Sequence, residues 1–186
     1  MAGPVDDLKH EHELIKRMLG ALEAASERLA RGERVPPDLL DDARAFVRGF
    51  ADECHHGKEE QALFPLLAKR SDLLRTGPVR ILASEHDVGR KLMAELAEAT
   101  DEMRAGVPKA EAHARRTIDL YTRMLRRHIE KEERILFPLA EMQLKPADEA
   151  ALTRQFEAIE ARMGADAHAR YEAIVRRLEE AVALPA

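Results

Sequence analysis

Apolar residues recur along this chain at steps of three and four, in four long runs. Leu8, Ile15, Leu19, Leu22 and Leu29 share a seam with His12. Phe50, Ala51, Cys54, Ala62 and Leu66 share a face with His55 and Glu59. Val79, Leu82, Gly89, Met93, Leu96 and Met103 align with His86, and Tyr121, Leu125, Ile135 and Leu139 with His128 and Glu132. Such spacing marks helices that turn one stripe toward a common core. The stretches GERVPPD, SDLLRTGP, AGVPK, KPAD and MGADAH interrupt the runs and read as loops. They predict helices over 5–31, 39–70, 78–104 and 109–143, then two shorter ones over 148–162 and 167–183. Four long helices joined by short loops make an all-α, up-down-up-down four-helix bundle. The bundle is expected over 1–143. A helical extension over 144–186 carries Phe156, Ile159, Met163, Tyr171, Ile174, Val175 and Leu178, to cover the bundle or to form a homodimer contact.

Composition narrows the picture. With 186 residues the chain is long enough for one real core. That core must be aliphatic, because Trp is absent and aromatics make up only 4%. A formal charge of -5 without a clustered basic face gives no case for nucleic acid. No stretch approaches the ~18 apolar residues of a membrane span, and the acidic start MAGPVDD lacks the features of a secretory signal. A single cysteine, Cys54, excludes an intrachain disulfide, so a reducing cytoplasm is the expected location.

The chemistry lies where polar residues break the seams. HHGKEEQALFP, beginning at His55, and HIEKEERILFP, beginning at His128, are identical at seven of eleven positions. His12 and His86 lie 74 residues apart, His55 and His128 lie 73 apart, and both His12 and His86 follow a Glu. The chain is therefore two copies of one hairpin, and aligning the Leu-Phe-Pro endings pairs His55/Glu59 with His128/Glu132 rather than His56/Glu60. Counting at ~1.5 Å per residue puts His12, His55, Glu59, His86, His128 and Glu132 in one layer of the bundle. An unpartnered buried charge costs roughly several kcal/mol, and no inward set of Lys or Arg offsets six such groups. Cations would. Imidazole with carboxylate suits iron, manganese or zinc. Two carboxylates among four histidines suggest two ions, with His12 and His55 on one, His86 and His128 on the other, and each Glu bridging. An oxo or hydroxo bridge would bring each ion to five ligands.

This H…HxxxE…H…HxxxE pattern, with LFP after each HxxxE, resembles the hemerythrin-like family, or HHE cation-binding domain, over about residues 6–142. The resemblance implies a non-haem di-iron centre that meets oxygen, nitric oxide or peroxide, or a module that senses or handles iron. Two departures from the oxygen carriers matter. Arg90 stands where they have a fifth histidine one turn after the third, and Glu132 lies four residues after the last histidine where they use an Asp at five. A lost ligand opens the site, which disfavours reversible oxygen transport and favours oxidation, nitric oxide capture or peroxide turnover. An enzyme that degrades peroxide or reduces nitric oxide is the first alternative, and a metal-clipped interaction module the second. Glu53 with His56 resembles the ExxH element of ferritin-like bundles but lacks a second copy. His56 is expected beside the site or facing solvent, Tyr121 as a core residue with a bonded hydroxyl, and Cys54 as small apolar packing. His10, His113 and His168 read as surface residues, and Pro65 and Pro138 as local bends.

Overall fold

A computed structural model describes residues 3–183, and its regular structure is wholly helical among them. The expected limits at 1 and 186 lie outside the described residues. The helices are α1 (Pro4–Ala30), α2 (residues 37–70), the short α3 (Asp72–Thr76), α4 (Pro78–Arg104), α5 (residues 110–143), α6 (Pro146–Ala161) and α7 (Ala167–Ala183). Prolines open α1, α2, α4 and α6, where a missing N–H costs nothing and the fixed φ is already helical. Asp6 closes the first turn of α1 by accepting the Gly3 N–H at 2.9 Å. Gly32 (φ 71°) follows the end of α1, a left-handed position that suits glycine. SDLLRTGP, expected as a loop, instead holds α3, because the Ser71 hydroxyl accepts the Leu74 N–H and caps a new turn.

α1 packs on α5, α5 on α4, and α4 on α2, while α7 lies along the remaining side against both α1 and α2. Ala167, Tyr171, Val175 and Leu178 of α7 join the main apolar cluster, and Leu152 and Phe156 of α6 join a second. Gly49 makes the α7 contact close: a Cβ there would sit 2.6 Å from Tyr171 Cζ. No helix among the described residues is long and apolar enough to cross a membrane.

The long helices are not uniformly α-helical. Both Leu-Phe-Pro motifs follow a π-helical turn, Glu59–Leu63 in α2 and Glu132–Leu136 in α5, closed by Phe64 N–H to Glu59 O and Phe137 N–H to Glu132 O. A proline in an α-helix clashes with the carbonyl four residues back. The wider turn relieves that clash, so Pro65 and Pro138 are accommodated by a change of register. The same turn advances the inward face by one position. Ile135, expected inside, is 49% exposed while Leu136 is buried, and Leu67 rather than Leu66 is fully buried. Among the described residues, a longer π-helical stretch, Val47–His56, occurs in α2 alone.

The layer of histidines and glutamates lies between the two apolar clusters. Leu8 and Ile15 flank His12 from opposite clusters, and Ala62 and Ala51 do the same for Glu59 and His55. The polar side chains of that layer are buried.

Candidate metal centre

All six residues singled out from the sequence converge in this layer, each no more than 2% exposed. His12 Nε2 lies 3.1 Å from His55 Nε2, and His86 Nε2 lies 3.1 Å from His128 Nε2. Two nitrogens bound at roughly 2.0–2.1 Å to one ion and at right angles stand about 3 Å apart. The pairing is therefore the one expected from the duplication.

The glutamates join the two pairs. Glu132 Oε2 lies 3.3 Å from His12 Nε2, and its Oε1 lies 3.0 Å from His128 Nε2. Glu59 Oε2 lies 3.4 Å from His86 Nε2, and its Oε1 lies 3.9 Å from His55 Nε2. Each carboxylate thus turns one oxygen to each histidine pair. All four oxygens are buried, and none has a hydrogen-bond partner: the imidazoles approach closely but without hydrogen-bond geometry. Orphaned buried carboxylate oxygens are costly. A cation in each half would satisfy them, and the nitrogen and oxygen donors fit that role.

Behind each imidazole stands a carboxylate on Nδ1. His12 Nδ1 meets Glu133 at 3.0 Å, His55 meets Glu11 at 2.8 Å, His86 meets Glu60 at 2.6 Å and His128 meets Glu85 at 3.0 Å. Each of these acids is held by a base: Lys16 on Glu133, Lys58 on Glu11, Arg90 on Glu60 and Lys131 on Glu85. A carboxylate on Nδ1 fixes the tautomer that presents the Nε2 lone pair inward. Arg90 is thus a clamp on Glu60, and it also donates to Asp52. The Phe of each Leu-Phe-Pro motif stacks on the histidine of the opposite hairpin, Phe64 on His86 at 5.7 Å and Phe137 on His12 at 5.5 Å.

These carboxylates were not singled out from the sequence, yet the signal was there. The duplicated Glu-His steps carry Glu11 and Glu85, and the duplicated Lys-Glu-Glu triplets carry Lys58, Lys131, Glu60 and Glu133.

Electrostatics follow from burial. Burial opposes charge on His128, but Glu132 outweighs it and raises the imidazole to about 10; His12 and His86 are raised in the same manner. Burial would raise Glu11, but the His55 ring and the Lys58 ammonium hold its carboxyl down at about 2. His56, buried beside the site and stacked on His86 at 3.8 Å, is pushed down to about 3 by burial. Cys54 packs in the core, and burial with the nearby Glu11 charge pushes its thiol up to about 12. Tyr121 is buried, but its hydroxyl has no bonded neighbour among the described residues, contrary to expectation; it lines a cavity of about 670 Å³ with His56, His86 and Gly89. Glu53 is exposed, so the ferritin-like ExxH pair does not form. His10 and His168 lie on the surface, and His113 is partly covered beside Glu102.

A four-helix bundle with two mirrored, buried His-His-Glu clusters defines a cation-binding protein. The comparisons agree: the family model for the hemerythrin HHE cation binding domain matches residues 3–140, and the chain belongs to that family. Relatives include uncharacterised proteins of Mycobacterium bovis and of two strains of Mycobacterium tuberculosis, each 29% identical over 133 residues and 72% of this chain. The chain spans about half, 51%, of the length of these relatives. No solved structure matches it.

Proposed function

We propose that the protein holds a non-haem di-iron centre, with His12 and His55 on one ion, His86 and His128 on the other, and Glu59 and Glu132 as bridges. The observation that carries this reading is the split presentation of each glutamate, one oxygen to each histidine pair, with no hydrogen bond to either. Two irons so held supply one-electron chemistry toward a diatomic ligand or peroxide. The chain's own part is positional. Glu11, Glu60, Glu85 and Glu133 orient the imidazoles, and the two apolar clusters pack above and below the layer. Metal analysis of freshly purified protein, with optical spectra under air, nitrogen and nitric oxide, tests the reading. About two irons per chain with oxo-bridge absorption are expected, and His128→Ala or Glu59→Ala should lose most of that iron. Full retention in both variants, or zinc without such absorption, rejects it.

A second reading, peroxide or nitric oxide turnover, is favoured by the cavity that reaches His86 past Gly89. Steady peroxide consumption in proportion to iron loading supports turnover; stoichiometric binding alone rejects it.

A further inference from the structure

One cavity breaks the near-symmetry of the two halves. Gly89 stands where the other half has Ile15, which is buried in the core. Beside Gly89 lies a space of about 670 Å³ bounded by α2, α4, α5 and α7, and a Cβ at 89 would already meet Met124 Cε at 3.3 Å. The space runs from exposed Arg48 and Arg170 inward to buried Tyr121 and His86. A water molecule takes up ~30 Å³, and a diatomic ligand or peroxide is not much larger, so either would leave most of this volume empty. Sites for organic molecules span roughly 300–1,000 Å³. The cavity is of that size.

Polar groups without partners stand at both of its ends. Tyr121 is 1% exposed and Tyr171 8%, both line the cavity, and neither hydroxyl has a hydrogen bond among the described residues. Tyr171 lays its hydroxyl over Gly49, in the space a Cβ would fill. Burying a hydroxyl unbonded is costly, and a ligand oxygen at each end would relieve that cost. The charges at the wall point to an anion. Arg44 is bonded to Asp41 at 2.7 Å, Arg90 to Asp52 at 2.8 Å, and Glu85 is held by His128 and Lys131. Arg48 approaches Glu53 only at 3.7 Å, beyond hydrogen-bond range. Arg170 lies over the Tyr171 ring at 4.9 Å and has no carboxylate partner among the described residues. The acids of the wall are thus answered within the protein, and the cation left over stands at the mouth beside an unbonded hydroxyl. Between the two ends the wall is apolar, with Val47, Met93, Met124 and Ile174. Methionine side chains adapt to the shape of what they enclose.

We infer that this cavity binds an amphipathic organic carboxylate. Its head meets Arg170 and the Tyr171 hydroxyl, its apolar body runs along Met93, Met124 and Ile174, and an oxygen at its far end meets the Tyr121 hydroxyl. The inference goes beyond the di-iron reading and does not depend on it. Where both hold, one organic molecule is brought to the His86 side of the centre.

Calorimetric titration of the purified protein with ω-hydroxydecanoate, decanoate and decanol tests this, with iron content measured in parallel. One molecule of ω-hydroxydecanoate should bind per chain, more tightly than decanoate, and decanol most weakly. Arg170→Ala should weaken both acids roughly tenfold and leave decanol unchanged, as loss of a charged hydrogen bond implies. Tyr121→Phe should remove the advantage of the hydroxy acid over decanoate. Gly89→Ile, which installs the residue of the mirror half, should abolish binding of all three. Should that variant not fold, the exposed Arg170→Ala carries the test alone. No binding to wild type, decanol bound as tightly as the acids, or acid affinity unchanged in Arg170→Ala overturns the assignment. Binding by a wild type that holds no iron overturns the di-iron reading and supports this site.

Discussion

Glu132 reaches across the bundle to His12, with Oε2 3.3 Å from Nε2, although the two residues come from opposite hairpins. Glu59 repeats the reach toward His86 at 3.4 Å. Neither half of the duplicated chain can complete its site alone, and each lends its glutamate to the other's first histidine. The centre therefore locks the two hairpins together as well as holding ions.

Such an arrangement sets binding against stability. Glu59 is fully buried with both oxygens unbonded, so the protein without metal bears its desolvation cost. Glu59→Leu should abolish metal binding while leaving the metal-free protein at pH 8 unchanged or stabilised by up to about 2 kcal/mol, as apolar replacements of buried charges often do. Urea unfolding of the two metal-free proteins checks this; a loss of several kcal/mol would show that Glu59 is structural.

Protons and cations compete for the same nitrogens. His128 lies at about 10, so near neutrality its ring carries a proton that a metal must displace, and the upward shifts of His12 and His86 add to that competition. Binding should release protons at pH 7, and affinity should fall as pH drops. Calorimetric titration in buffers of different ionisation enthalpy measures the release. A binding enthalpy independent of the buffer contradicts it.

Acid stability should depend on Glu11. Its carboxyl is lowered from an ordinary 4.5 to about 2, so its contribution is fully present above pH 4.5 and disappears as pH falls toward 2. That difference corresponds to about 3 kcal/mol. Unfolding curves of metal-free wild type between pH 5 and pH 2 should be steeper than those of Glu11→Gln. Parallel curves would sink the claim.

The contact between α2 and α7 offers a mechanical test. Alanine normally favours a helix over glycine by about 1 kcal/mol, yet Gly49→Ala would drive a methyl into the Tyr171 ring. A net destabilisation of about 1–3 kcal/mol is expected, largely recovered in Gly49→Ala with Tyr171→Leu. Thermal unfolding of both variants decides it; a stabilised single variant would show that α7 is loosely seated.

Much of this was legible in the sequence, for identifiable reasons. Proline and glycine punctuation sets the helix ends: residues 78–104 and 167–183 are helical as expected, and α1 differs by one residue at each end. The six inward residues are visible because an imidazole on an apolar stripe stands out, and because the stripe occurs twice. Ile135 and Leu66 were misplaced because a heptad count assumes an unbroken α register, and the π turns add a residue ahead of each Leu-Phe-Pro. The carboxylates behind the histidines were hidden for a different reason. On a charge-rich helix, Glu60 and Glu133 resemble any solvated acid, and only the packing of neighbouring helices shows that they meet Nδ1 atoms.

The two π turns carry a consequence for any shortened variant of this chain. Each behaves as a one-residue insertion between an inward glutamate and the phenylalanine that stacks on the opposite hairpin's histidine. Deleting one residue among 134–136 would restore ordinary winding and swing Phe137 by about 100° around the axis, one helical step. The ring would leave His12 while Glu132 stayed in place, so the deletion would strip the roof from one ion and spare its walls.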